Sequence, residues 1–69
     1  MGKYNHLPLM AYKSLLEQFE QKPGSAQPIG QWIRKEEDRY VAIDNLDGNV
    51  WVEDFKTRDK AVKWLEAVE

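Results

Sequence analysis

Residues 39–65 read RYVAIDNLDGNVWVEDFKTRDKAVKWL, and this stretch decides the fold. Two segments within it, 39–45 and 49–55, are rich in β-branched and aromatic residues, which is typical of strands. Between them lies Asp47-Gly48, and an Asp-Gly dipeptide flanked by two such segments is a strong signal for a β-hairpin. The centre of the sequence therefore predicts two antiparallel strands joined by a short turn.

The remainder of the stretch predicts a helix that follows the hairpin directly. Thr57 is suited to cap the helix, and Asp59 places a negative charge in the first turn, where it interacts favourably with the helix dipole. The apolar residues that follow recur at helical spacing and predict one buried face, made of Ala61, Trp64, Leu65 and Val68.

Two registers of the hairpin are open. In the first, Asp47-Gly48 forms a two-residue turn and Ile43 faces Val52. The core face is then aliphatic (Val41, Ile43, Val50, Val52), and the outer face carries Tyr40, Trp51 and Phe55 beside two acidic residues. A shift of one residue would exchange the two faces of a strand, so the register determines whether the aromatic side chains are core or surface.

In the second register, a type I turn is followed by Gly48 in the left-handed conformation, and Ile43 faces Trp51. Trp51 and Phe55 then join the core face. The order Asn45-Leu46-Asp47-Gly48 favours this register, because Asn hydrogen-bonds its own backbone in turns and Gly accepts a positive φ.

Upstream of the hairpin, the sequence predicts a loose leader over residues 1–7 and a helix from Pro8 to about Lys22, ended by Pro23-Gly24. The apolar positions of this helix are Leu9, Tyr12, Leu16 and Phe19, with Leu15 beside them. Residues 23–30 hold two Pro and two Gly and predict a loop. Residues 31–35 predict a short strand with a turn at 36–38, and a one-turn helix at 29–33 is the alternative.

These elements predict one small α+β domain over residues 8–69, in the order α-β-β-β-α. We expect a three-stranded antiparallel meander with both helices packed on one face. The other sheet face then stays open to a partner, and in the favoured register it carries Tyr40, Val50 and Val52. An exposed edge strand would also allow a homodimer, so both monomer and homodimer are compatible with the sequence.

Composition limits the classes of function. The 69 residues contain no cysteine, which favours a reducing, cytoplasmic setting, and no apolar run long enough to span a membrane. His6 is the only histidine, so the materials for a catalytic triad or a zinc site are missing, and we predict neither catalytic residues, metal nor cofactor. The prediction is a non-enzymatic regulatory or inhibitory module that binds another protein, as small accessory or phage proteins do.

The alternative prediction is nucleic-acid binding through four basic residues at the start of the second helix, namely Lys56, Arg58, Lys60 and Lys63. With the order helix, three strands, helix, this KTRDKAVK segment resembles the double-stranded RNA-binding domain, and the resemblance implies that the second helix contacts phosphates. Asp59 interrupts the cluster, residues 36–38 are acidic, and the net charge is −2, so composition disfavours this class. We do not assign the chain to that family.

Overall fold

A computed structural model describes residues 4–68 of the chain. The elements are α1 (Leu9–Gln21), β1 (Gly30–Glu36), β2 (Arg39–Asn45), β3 (Trp51–Phe55) and α2 (Arg58–Ala67). The strands form one antiparallel sheet in the order β1-β2-β3. This confirms the predicted α+β class and the order α-β-β-β-α. The strand alternative for residues 31–35 is the correct one, since β1 includes all of them.

The two helices lie on opposite faces of the sheet, so the prediction that both lie on one face is wrong. Val41 and Ile43 of β2 pack in a cluster with Leu15 of α1. Ala42, which points to the other face, packs with Ala61 and Leu65 of α2. The physical reason is the unbroken apolar run of residues 40–43, which makes both faces of the central strand apolar and requires a helix on each.

The register of the second hairpin is the first of the two alternatives, and the favoured second register is wrong. Ile43 pairs with Val52, and Tyr40 pairs with Phe55. Turn chemistry misled the prediction because the loop is held from outside the hairpin. The Gly48 carbonyl accepts hydrogen bonds from the backbone N–H groups of Gly24 and Ala26, at 3.2 and 3.1 Å.

Asn45, the last residue of β2, anchors the same loop from inside the core. Its side chain is fully buried and donates from Nδ2 to the carbonyl oxygens of Ala26 and Pro28, at 3.0 and 2.7 Å. The loop between α1 and β1 is thereby attached to the end of the sheet, and the β2–β3 connection follows the position of that loop rather than its own local preference.

Residues 4–7, part of the predicted leader, contact the sheet, whereas residues 1–3 of that leader lie outside the described residues. Asn5 bridges Trp32 in parallel orientation, and its carbonyl accepts a hydrogen bond from Ile33 N at 3.1 Å. Leu7 is only 4% exposed and belongs to the α1-side core. This segment therefore lies along the outer edge of β1.

Arg34 links three parts of the α1 side. Its guanidinium donates to the Leu7 carbonyl at 2.8 Å, pairs with Glu36 at 3.0 Å and lies over the Tyr12 ring at 5.7 Å. Burial raises the pKa of the Tyr12 phenol, and the charges of Glu36 and Asp54 raise it further, whereas Arg34 opposes the rise. The net shift favours the neutral, protonated phenol.

The buried faces of the helices differ in part from the predicted ones. In α1, Leu15 is fully buried and Phe19 is half-buried, but Leu9 and Leu16 are exposed. In α2, Ala61 and Leu65 are fully buried as predicted. Thr57 caps α2 as predicted, because its hydroxyl accepts a hydrogen bond from Lys60 N at 3.3 Å.

Candidate functional site: a groove beside β3

The three residues predicted to bind a partner do not share one surface. Val50 is 7% exposed and belongs to the core beneath α1. Val52 is half-buried and packs against the same core. Tyr40 lies on the opposite face with α2, and the ammonium of Lys35 is 5.8 Å from the centre of its ring. The observed register separates them, and each sheet face is occupied by a helix.

The basic residues at the start of α2 are only partly available to a ligand. Lys56, Lys60 and Lys63 are exposed. Arg58 is half-buried and donates from Nη2 to the Tyr4 carbonyl at 3.2 Å, so it helps to attach the N-terminal segment. Three lysines, rather than four basic residues, remain as a surface cluster.

A concave surface lies elsewhere, between β3 and the C-terminal half of α2. This groove has a volume of about 570 Å³. Three of its residues are exposed large hydrophobic side chains, with Trp51 at 61%, Leu46 at 44% and Val68 at 41%. We call this surface the Trp51 groove; its lining is Asp44, Leu46, Asp47, Trp51, Glu53, Trp64 and Val68.

The fold explains why the groove stays open. Alternate residues of a strand point to the same face, so Trp51 and Glu53 of β3 lie on the face that α2 covers. The helix packs mainly over the central strand through Ala61 and Leu65. Trp64 of α2 contacts Phe55 of β3, with ring centroids 6.1 Å apart. Trp51, at the other end of β3 from Phe55, remains 61% exposed.

The electrostatic character of the groove is acidic. Three of its lining residues are carboxylic acids, and no lysine or arginine of residues 4–68 lines it. Asp47 and Glu53 are exposed, whereas Asp44 is 6% exposed and accepts a hydrogen bond from Gln31 Nε2 at 2.8 Å. Val68, the C-cap of α2, brings the negative end of the helix dipole to the same place.

The two edges of the sheet differ in how they are covered. β1 carries the bridge to Asn5 on its outer side. Within residues 4–68, β3 pairs only with β2, so the backbone groups that point away from β2 have no strand partner. The Trp51 groove therefore adjoins the open edge of the sheet.

The described residues contain no group of three His, Cys, Asp or Glu side chains that could hold a metal ion. The acidic residues of the loop have a structural use instead, since Asp47 Oδ1 accepts a hydrogen bond from Asn49 N at 3.1 Å and closes an Asx turn. Neither helix of residues 4–68 is both long and apolar enough to cross a membrane. The groove can make apolar contacts and can bind cationic groups.

Sequence reasoning missed two members of the groove for which a signal existed. Leu46 is a large apolar residue inside a turn of Asn, Asp and Gly, where polar residues are usual. Helical spacing predicts Val68 on the buried face of α2. It lies about one turn beyond Leu65, at the end of the helix, and is exposed. The exposure of Trp51 depends on the register of the hairpin, which the local sequence does not determine.

Comparisons of the chain with protein-family models, with curated proteins and with solved structures found no match.

Proposed function

We propose that this protein is a small non-enzymatic regulatory or inhibitory module, which acts in the cytoplasm by binding another protein through the Trp51 groove. The observation that carries the proposal is the exposure of Trp51, at 61%, beside the exposed Leu46 and Val68. Tryptophan is among the residues that contribute most to binding energy at protein interfaces, and contiguous exposed apolar side chains mark contact sites.

Two further features support a binding role. The groove offers room for several side chains, and its lining combines apolar residues with the exposed carboxylates of Asp47 and Glu53, the mixture of apolar and polar groups found at interfaces. The sequence also lacks cysteine and has a single histidine, so few nucleophilic or metal-binding groups compete with this reading.

The test compares Trp51→Ala with Met10→Ala, in which an even more exposed apolar residue is removed from α1. Met10 is 77% exposed and lies on the helix of the opposite sheet face. The wild-type protein captures its partner from nuclease-treated host lysate, the partner is purified, and its affinity for each variant is measured by calorimetry. We expect Trp51→Ala to weaken binding at least about 30-fold, the loss of a hot-spot residue, and Met10→Ala to leave it unchanged.

Equal affinity of wild type and Trp51→Ala for the purified partner would contradict the proposal. Circular dichroism of both variants serves as the folding control, because neither side chain is buried. A partner that is captured from untreated lysate but not from nuclease-treated lysate would point instead to nucleic acid.

Nucleic-acid binding is the second candidate, supported by the exposure of Lys56, which precedes α2, and of Lys60 and Lys63 within it. Replacing all three lysines with glutamine should abolish a mobility shift at low salt, and the wild-type complex should weaken steeply as salt is added. No shift of duplex RNA, duplex DNA or single strands by the wild-type protein would remove this candidate.

A further inference from the structure

We infer that the Trp51 groove takes an extended, arginine- or lysine-bearing segment of the partner, which pairs with β3 as a fourth strand and places its cationic side chains against Trp51 and Glu53. This inference rests on the proposed function and names the chemistry of its partner. Two independent observations support it, the uncovered edge of β3 and the charge of the groove beside that edge.

The edge of β3 provides the backbone part of the site. The strand Trp51–Phe55 has β2 on one side and no strand of residues 4–68 on the other. An extended segment can therefore add to it through backbone hydrogen bonds, with pockets beside the strand for alternate side chains. Five strand residues span about 17 Å, which matches a segment of five to seven residues.

The charge of the groove selects the side chains of such a segment. Asp47 and Glu53 are exposed in a lining without lysine or arginine among the described residues, next to the exposed ring of Trp51. Arginine and lysine are attracted both to carboxylates and to the face of a tryptophan ring. On the opposite face of the sheet, Asp54 of β3 already pairs with Arg39 at 3.0 Å, whereas Asp47 and Glu53 are exposed on the groove side.

A second copy of this chain is a poorer occupant of the same edge. In the symmetric antiparallel pairing of two β3 strands, Glu53 of one copy faces Glu53 of the other, because it is the central residue of Trp51–Phe55. Like charges directly opposite each other destabilise a strand pair. The acidic edge therefore resists self-association and favours a basic strand.

The experiment uses three blocked synthetic peptides with strand-forming sequences, Thr-Arg-Val-Arg-Val-Arg-Thr and its matched versions with Gln or Glu in place of each Arg. Binding to the full chain is measured by calorimetry, and the site is located by amide chemical-shift changes. We expect the Arg peptide to bind at least tenfold more tightly than the Gln peptide, the Glu peptide not to bind, and the shifts to centre on β3 and Leu46.

Two variants and one modified peptide test the geometry. Trp51→Ala and Glu53→Gln should each weaken the Arg peptide, by about tenfold and threefold, whereas Met10→Ala should not change it. Two versions of the Arg peptide carry N-methyl groups on alternate backbone nitrogens, one version on each alternate set. Only one version should lose binding, because only alternate N–H groups of the peptide face β3.

Four outcomes would overturn the inference. The Arg and Gln peptides could bind equally well, or both N-methylated peptides could bind as well as the unmodified one. No peptide could bind at all, or the protein could form a dimer that Trp51→Ala dissociates. None of them is the result that contradicts the proposed function, which is unchanged affinity of Trp51→Ala for the purified partner. The two failures are therefore distinguishable.

Discussion

The two hairpins of this protein are closed in different ways. Between β1 and β2, Glu36 pairs with Arg39 across a two-residue turn, in which Glu37 has a φ of 50°. Between β2 and β3, the ladder ends at the pair of Asp44 and Trp51, and the loop beyond it is attached to residues that precede β1. The first turn is local, whereas the second depends on a distant segment.

The difference shows where turn chemistry is a reliable guide. A two-residue turn is determined by its own backbone angles, including the left-handed φ of Glu37. The second loop is larger, and Gly48 and Asn45 both hydrogen-bond to residues 24–28. Its register, and with it the exposure of Trp51, follows from long-range contacts.

The largest effect is expected for Gly48→Ala. Gly48 has a φ of +87°, and an added Cβ would clash with the backbone of Gly24 and lie 2.8 Å from Ser25 N. Both the strain and the clash with backbone atoms lower stability, and we expect the free energy of unfolding to fall by roughly 3–5 kcal/mol. Urea denaturation measures the change.

Gly24→Ala is the matched control, because Gly24 has a similar φ of +90° but an added Cβ would meet no atom within 4 Å. We expect a loss of only about 1–2 kcal/mol from backbone strain. Similar losses for the two variants would mean that the close approach of the two loops contributes nothing.

The next effect is expected for Asn45→Ala. This change leaves the carbonyls of Ala26 and Pro28 without the hydrogen bonds that Nδ2 donates. Because the side chain is fully buried, the cost should be roughly 2–3 kcal/mol in the free energy of unfolding. Asn49→Ala, in the same loop, serves as the comparison and should cost under about 0.5 kcal/mol. A loss at Asn49 as large as that at Asn45 would contradict the anchoring role.

The sequence predicts the elements of this fold well, because each one has a local signal. Thr57 caps α2, and Pro23 follows the end of α1 closely. The side of the sheet on which each helix packs was mispredicted, although a signal was present. The apolar residues at 40–43 alternate between two buried faces, and a strand with one solvated face would carry polar residues at every second position.

The candidate site was predicted less well than the fold. The importance of the register for Trp51 could be read from the sequence, but the register itself could not, since Gly48 and Asn45 find their partners more than 15 residues away. Tyr40 and Val52 were expected on one surface and lie on opposite faces. Long-range hydrogen bonds leave no mark in the local pattern of a turn.

A smaller effect, an increase in stability, is expected in the hairpin between β1 and β2. Glu37 is exposed and has a left-handed φ of 50°, which is unfavourable for a residue with a Cβ. Glu37→Gly should therefore raise the free energy of unfolding by about 0.5–1 kcal/mol, after the entropy of glycine in the unfolded chain is subtracted. Thermal unfolding followed by circular dichroism measures it.

Asp38→Gly is the control for this change, because Asp38 lacks a positive φ. Glycine relieves no strain there, so stability should fall slightly rather than rise. Stabilisation by both substitutions would show that the turn gains from flexibility in general and not from relief at position 37.

The smallest effect is expected for Asp47, which lies in the loop between β2 and β3 and also lines the groove. Its Oδ1 accepts a hydrogen bond from Asn49 N at 3.1 Å on the protein surface, and Asp47→Ala should lower the free energy of unfolding by about 0.5 kcal/mol. Asp47→Asn keeps an acceptor oxygen and removes the charge, so its stability should equal that of the wild type in urea denaturation. The same variant should still weaken binding of the Arg peptide, because the groove would lose one of its two exposed carboxylates. Loss of stability in Asp47→Asn as large as in Asp47→Ala would mean that the charge, rather than the Asx turn, supports the loop.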